Sequence, residues 1–268
     1  MLLPTEAGFR TSESFVARHS RIIFALFHRE MVTRFGREGL GFLWVIGEPL
    51  IFCIGVLIMW SVLKPEYEHG IRLGPFVMTG YMCLLLMRHQ ISLSIFALIS
   101  NIGLLHHRQI KVLHLYIARN LIEFVGATAA FMIVYIALFF MGQVDLPANW
   151  LLLYEGWLLV GLLGMGTGLI LSGLALRYDF VERFVQVLTY MLVPVSGAFL
   201  MVEWLPAHAR EPFLLIPYPN AIEMVRAGVL GEFVATHYNT AYAFMCAGVM
   251  NFFGMILIAN ARSHVDVE

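Results

Sequence analysis

The sequence predicts an all-α integral membrane protein with six transmembrane helices, and three observations lead there. Hydrophobic residues make up 60% of the 268 residues and charged residues 13%, against roughly 45–50% and about 25% in a soluble domain. The apolar residues gather into six runs of about the 20 residues that hydrocarbon requires: 41–63, 73–100, 121–142, 151–174, 184–203 and 241–260. Lys and Arg crowd alternate connections, with Arg10, Arg18, Arg21, Arg29, Arg34, Arg37, Arg108, Lys111, Arg119, Arg177, Arg183 and Arg262 on one side. The other side holds Lys64, Arg72, Arg210 and Arg226. The richer side is the cytoplasmic one, so both termini are expected in the cytoplasm. Mean hydropathy is +0.79, and residues 1–268 are expected to form one domain. The net charge of −1 implies no partner, and no nucleic acid is expected.

Residues 1–40 show no early apolar core followed by a small-residue cleavage site, so the first span is expected to act as an uncleaved anchor. Residues 14–38 are expected to form an amphipathic interfacial helix. Phe15, Ile22, Ile23, Leu26, Phe27 and Met31 fall on an apolar side, and Arg18, Arg21, His28 and Arg29 on the other. Such a helix lies in the membrane surface as a plain anchor or as a contact surface for a cytoplasmic partner. The first span carries Trp44 and a Glu48-Pro49 pair; proline there removes a backbone donor and favours a kink.

The second span is interrupted by Arg88, His89 and Gln90. At about 1.5 Å per residue, Arg88 lies roughly 22 Å below the outer end of its span and Glu48 about 10 Å above the inner end of its own. Glu123 sits near the inner end of the third span. A charge at the bilayer centre costs about 2.5–3.5 kcal/mol on insertion scales. Arg88 is therefore expected to pair with Glu48 or Glu123, fixing the helix packing, or to face an aqueous path lined for a polar substrate. Snorkelling to the headgroups is the third possibility.

Between spans two and three, a short cytoplasmic helix is expected within 101–118. Ile110, Leu113 and Ile117 share one face, and His107, Lys111 and His114 another. That cationic face suits docking or plain solvation. A metal site at His106, His107 and His114 lacks the Cys, Asp or Glu that would complete it. The fourth span holds Gly161, Gly164, Gly166, Gly168 and Gly173, small residues that let helix backbones approach closely. Cys53, Cys83 and Cys246 lie in apolar runs and read as buried small side chains.

Residues 204–240 form a connection far longer than usual. Pro206, Pro212, Pro217 and Pro219 break its first half. Asn220 is placed to cap a helix over 221–230 that ends at Gly231. A re-entrant or surface-lying hairpin before the last span is expected, with re-entry tolerable where protein buries the backbone. No GxxxxGK[ST] loop, HExxH motif or nucleophile–base set occurs, so an ATPase, if one drives the protein, must be another chain.

The stretch from Thr33 to Leu50 resembles the signature of the permease subunits of type-2 ABC exporters, in particular those for capsular polysaccharide. The residues that carry the likeness are Arg34, Phe35, Gly36, Arg37, Leu40, Gly41, Leu43, Trp44, Glu48 and Pro49. IPYPNAIEMVRAGVLG at 216–231 is similar to the family's proline-rich stretch before the last span. The resemblance implies a bacterial inner-membrane homodimer whose interface forms a channel. It implies two copies of a cytoplasmic ABC ATPase holding ATP and Mg, with no cofactor on this chain. A periplasmic adaptor and an outer-membrane polysaccharide pore would complete the route of a lipid-linked polysaccharide.

By the same likeness, Arg29, Arg34, Arg37, His106, His107, Arg108, Lys111 and His114 fall where the ATPase would couple. The segment 204–240 would be a periplasmic gate, with Pro217, Tyr218, Pro219, Asn220, Glu223 and Arg226 in it. For the substrate path the candidates are Phe42, Trp44 and Tyr81, whose rings can stack on sugars, with Glu48, Arg88, His89 and Glu123; Arg88 and His89 can attract acidic sugars. Permeases for O-antigen, teichoic acid, lipids or drugs stay open as alternatives, as do a secondary transporter without an ATPase and a membrane scaffold. The Arg88→Ala variant is expected to stay in the membrane and lose export, checked by quantifying surface glycan; normal export would remove Arg88 from the path.

Overall fold

A computed structural model describes residues 14–35, 41–63, 67–68, 70–98, 100–101, 103, 109–231 and 235–265, with backbone only at 34–35, 41–42, 67–68, 179 and 261–265. Arg37, His106, His107 and Arg108 lie outside the described residues; Arg34 and Phe42 are described in the backbone alone. The helices are α1 (Phe15–Phe35), α2 (Gly41–Leu63), α3 (Leu73–Ile95), α4 (Val112–Phe140), α5 (Trp150–Ala175), α6 (Asp179–Val195), α7 (Ala207–Leu214), α8 (Pro217–Leu230) and α9 (Thr240–Val265). A two-stranded antiparallel ladder, β1 (Tyr67–Glu68) and β2 (Ile71–Arg72), joins α2 to α3. Its turn contains Gly70 at φ +83°, a conformation that glycine adopts without steric penalty.

Among the described residues, four helices are long and apolar enough to cross a membrane: Leu43–Leu63, Val112–Phe140, Trp150–Ala175 and Thr240–Asn260. α3 is diluted by Arg88, His89 and Gln90, and α6 has only 17 residues. The helices depart from the expected spans for local reasons. α3 ends at Ile95 instead of 100, where Ser94 and Ser100 hydroxyls donate back to the Gln90 and Phe96 carbonyls and compete with the helical ladder. α6 ends at Val195 because Pro194 is followed by Gly197 at φ +78°. Of the short helix expected within 101–118, residues 112–118 are the start of α4, which runs unbroken for 29 residues, and 102 and 104–108 lie outside the described residues.

α3 and α5 form the centre of the bundle. α3 buries both ends and most of its length, flanked by α2, α4, α5, α6 and α8. The α5 glycines set the spacing on two faces. A Cβ on Gly164 or Gly168 would meet Gln90 or Ser94 of α3 at 2.3 and 2.7 Å. On Gly166 or Gly173 it would meet Asn251 or Leu257 of α9 at 3.0 and 2.7 Å. The three cysteines are free, with Cys53 and Cys83 buried.

The tightest approach is at Gly80 of α3, where a Cβ would lie 1.8 Å from the Ala198 carbonyl oxygen. Backbone cannot step aside as a side-chain tip can. Gly80→Ala is therefore expected to destabilise the protein by about 1–3 kcal/mol, read as a lower thermal unfolding midpoint in detergent. Gly47→Ala, with nothing within 4 Å of the added carbon, is expected to leave the midpoint unchanged or slightly raised.

Candidate functional site

A polar cavity of about 470 Å³ lies between α2, α3 and α4, at the end of the bundle where α2 begins and α3 finishes. α2 contributes Trp44, Val45 and Glu48; α3 contributes His89, Ser92 and Leu93; α4 contributes Arg119 and Glu123. Gly126 creates the opening angle: a Cβ there would lie 2.1 Å from the Val45 side chain, so only glycine lets α2 lie this close to α4. His89 sits between two carboxylates, Nε2 at 3.8 Å from Glu48 Oε1 and Nδ1 at 3.8 Å from Glu123 Oε2. A larger groove of about 560 Å³ between α2 and α4 is lined by apolar side chains with only Ser61 and Gln143 as polar ones. Among the described residues it holds no charged group.

The expected pairing of Arg88 with Glu48 or Glu123 does not form; His89 takes that position. Successive helical residues point about 100° apart, so when His89 faces α2 and α4, Arg88 turns to α6. There its guanidinium stacks 5.0 Å from the Tyr190 ring centroid, a cation–π contact. Tyr81 also lies away from the cavity, buried with its ring 5.8 Å from Phe199. Of the seven path candidates the fold thus brings Trp44, Glu48, His89 and Glu123 together. Arg119, one turn before Glu123, is the charged member of the lining that the sequence reading missed, although the i, i+4 spacing was there to see; Ser92 was missed as well.

α1 lies along the first half of α4, where Leu26 packs with Leu115 and Ala118 among Ile22, Ile23, Phe27 and Ile110. Phe15, Val16, Phe24 and Val32 stay exposed. Arg29 donates to Asn101 Oδ1 at 3.0 Å, and Glu30 meets Arg119 at 3.8 Å. One step from the cavity, α1 is therefore tied to the α3–α4 connection. Lys111 is exposed, whereas His114 is buried with Nδ1 accepting the Lys111 N–H at 3.2 Å. His114 is thus the cap of the α4 N-terminus, not part of an open cationic face.

At the other end of α3, the segment 202–231 folds as a 3-10 turn (Val202–Trp204), α7 and α8. α8 is buried from Tyr218 to Val229. Tyr218 OH meets Thr167 Oγ1 of α5 at 2.5 Å, while a Cβ on Gly228 would lie 2.5 Å from the Leu153 nitrogen. Tyr218 and Gly228 are ten residues apart, about 15 Å along α8, so α8 lies against α5 over that length. Pro217 opens α8, where its missing N–H is no loss. Asn220 is not the cap that its residue type suggested. It lies inside the first turn of α8, donates to the Leu214 and Ile216 carbonyls at 2.8 and 3.0 Å, and accepts the Asn239 N–H at 2.8 Å. The helix does end at Gly231, φ +66°.

Arg226 is fully buried. Its Nη1 donates to the Gly197 and Leu200 carbonyls at 3.0 and 2.8 Å and its Nη2 to the Ala198 carbonyl at 2.6 Å. Glu223 Oε1 lies 3.3 Å from Nη1, and the Phe76 ring centroid 4.6 Å from the guanidinium carbon. Glu223 Oε2 accepts the His237 N–H at 3.2 Å. On the surface beyond α6, Glu203 Oε2 meets His237 Nε2 at 2.6 Å and Arg210 Nη1 at 2.8 Å. The hydrogen bond from His237, then the Arg210 charge, hold the Glu203 carboxyl below its usual range. Removing the Arg226 guanidinium leaves Glu223 buried and uncompensated. Arg226→Met is expected to lose about 3–5 kcal/mol of stability, and the double variant with Glu223→Gln to recover part of it, measured as unfolding midpoints in a double-mutant cycle.

Known proteins share this chain almost end to end. It is 33% identical to the capsule polysaccharide export inner-membrane protein CtrC of Neisseria meningitidis, over 94% of this chain and 96% of that one. It is 30% identical to the capsule polysaccharide export inner-membrane protein BexB of Haemophilus influenzae, over 96% and 97%. The polysialic acid transport protein KpsM of Escherichia coli is 25% identical over 87% and 90%. No family model matches the chain. At this identity and coverage, on a bundle of membrane-length apolar helices, the chain belongs to the family of capsule polysaccharide export inner-membrane proteins, the permeases of capsular ABC exporters, and is a multi-pass protein of the inner membrane.

Proposed function

We propose that this chain is the permease subunit of an ATP-driven exporter that moves lipid-linked capsular polysaccharide from cytoplasm to periplasm through a channel at a homodimer interface. In this reading α2, α3, α4, α5, α6 and α9 are six spans, the termini are cytoplasmic, and the hairpin of α7 and α8 enters the membrane from the periplasmic side as a gate. Two copies of a cytoplasmic ATPase, carrying ATP and Mg, dock against α1 and the start of α4. An adaptor and an outer-membrane pore receive the polymer.

The observation that carries this reading is the polar cavity of Trp44, Glu48, His89 and Glu123, held within apolar helices of a chain whose relatives are named for capsule polysaccharide export. Burying such a set in a span is costly, and a polar cargo supplies the reason for it. The cavity lies at the Lys- and Arg-rich end, where a cytoplasmic glycan would arrive. α1 reaches it through Glu30 and Arg119, so a partner moving α1 acts directly on its wall. Arg29, Lys111 and His114 are the coupling candidates whose side chains are described; Arg88 remains a path candidate through its contact with Tyr190.

The test is purification of this chain from its native membranes with the stoichiometry of what accompanies it. A phosphate-loop protein in equimolar amount is expected. Deleting the chain is expected to leave polymer inside the cell, seen by fractionating the glycan. Repeated recovery of the chain alone, under crosslinking and with ATP analogues, would remove the coupling roles and bring forward an ATPase-independent transporter.

A further inference from the structure

We infer that Arg88, Tyr190 and Gln186 form a binding site for a sugar carboxylate on the side of α3 that meets α6, turned away from the cavity. The inference rests on the reading of the chain as a glycan permease. It gives Arg88 its partners and assigns the chemical group that they take.

Arg88 is a charge without a counter-charge. Its guanidinium lies 5.0 Å from the Tyr190 ring centroid, and it makes no ion pair or hydrogen bond with a described residue. A ring contact uses no N–H, so its five donors stay open. The Tyr190 hydroxyl and the Gln186 side-chain amide are likewise without a partner among the described residues, and both residues are exposed. Unpartnered polar groups in a stretch that would cross hydrocarbon are costly unless water or a polar ligand reaches them.

The faces of α6 separate two kinds of surroundings. At about 100° per residue, Val181, Val185 and Thr189 form its buried face, with Val181 and Val185 packed on Ile91 and Ile95 of α3. Phe180, Phe184, Val187 and Met191 form an exposed apolar face. Glu182, Gln186 and Tyr190, at i, i+4 and i+8, form an exposed polar face beside it. An apolar face suits lipid, and a polar one suits an aqueous path. Arg88 reaches across from α3 to the Tyr190 end of that polar face. Glu182 lies about 12 Å from Tyr190 along the axis, and the neighbouring Arg183 is opposite to it in charge.

A guanidinium fork matches the two oxygens of a carboxylate. The ligand is a sugar because the open groups extend beyond the charge. Gln186 stands one turn from Tyr190, about 6 Å along the axis, so ring hydroxyls of one sugar unit reach the amide and the phenol while its carboxylate holds Arg88. A phosphate suits a guanidinium too, but lipid phosphates stay at the headgroups. Tyr190 lies about 16 Å from the start of α6, half of the ~30 Å of hydrocarbon.

The test uses the full chain with the proteins that accompany it from native membranes, held in lipid nanodiscs. Binding of tri-galacturonate and of neutral galactotriose is read by saturation-transfer NMR at millimolar concentrations. Wild type is expected to bind tri-galacturonate about tenfold more tightly, the scale of one hydrogen bond to a charged group. Arg88→Gln is expected to abolish that preference and Arg88→Lys to keep part of it, a difference that a merely structural role would not produce. Gln186→Leu is expected to weaken both probes about fivefold and leave the preference in place. Equal unfolding midpoints check that the variants fold. Equal affinity of wild type for the two probes, or binding of neither, would overturn the assigned group. A preference that survives Arg88→Gln would overturn the location. Inorganic phosphate that displaces tri-galacturonate at the same concentration would overturn the sugar assignment. Each of these outcomes leaves the permease reading standing, because that reading falls only if deleting the chain leaves surface glycan unchanged.

Discussion

Arg226 is a full positive charge placed where no water reaches it, and much of this structure follows from how that charge is met. A guanidinium has five N–H donors in a fixed plane, and desolvating it is tolerable only if carbonyls and a carboxylate converge on it. Gly197, Ala198 and Leu200 supply the carbonyls because α6 has stopped short and its chain turns through a left-handed glycine. Glu223 supplies the counter-charge from the same helix. Gly80 keeps α3 bare of a side chain where the turn presses against it. The short α6, the positive φ at Gly197, the bare spot on α3 and the buried α8 are therefore one arrangement seen from four sides.

α3 joins this arrangement to the cavity. Gly80 and His89 are nine residues apart, about 14 Å along the axis, on a helix buried at both positions' surroundings. One end of that interval is rigidly hydrogen-bonded and packed against Phe76, Trp204, Trp60 and Phe199 rings. The other is open, polar and loosely spaced at 3.8 Å. A locked end and an adaptable end on a single rod suit a helix that must hold position while something polar passes beside it.

The long apolar stretches of α2, α5 and α9 were legible almost to the residue, because where hydrocarbon-length runs end, turn and polar residues begin. The packing role of the α5 glycines was equally legible, since small residues in a span have few other uses. What stayed hidden was phase. Whether Arg88 or His89 faces Glu48 depends on a 100° rotation that only the neighbours of α3 decide. The continuity of α4 was hidden for a related reason: the change from polar to apolar near Asn120 marks where a membrane surface would lie, and a helix passes through it without interruption. Asn220 misled because a capping residue type is also a good clamp. Arg226 was counted among loop charges, although Glu223 three residues earlier was the available sign that the pair travels inward together.

α4 is 29 residues long without an interior proline, so it is a rod of roughly 43 Å, longer than the ~30 Å of hydrocarbon it would cross. It meets α2 closely at Gly126, where a Cβ would lie 2.1 Å from the Val45 side chain, midway between Val112 and Phe140. If the Gly126 contact acts as its fulcrum, such a rod behaves as a balanced lever. A push of a given size on the Val112 end, where α1 is attached, reappears with equal size and opposite sign at the Phe140 end. Arg119, the cavity-wall residue that α1 contacts through Glu30, is seven residues from Gly126 on the pushed side and would move with it, while Glu123, three residues from Gly126, would move less. Length and fulcrum together would let the two faces of the membrane exchange displacement, with the Arg119 side of the cavity following the end that α1 holds.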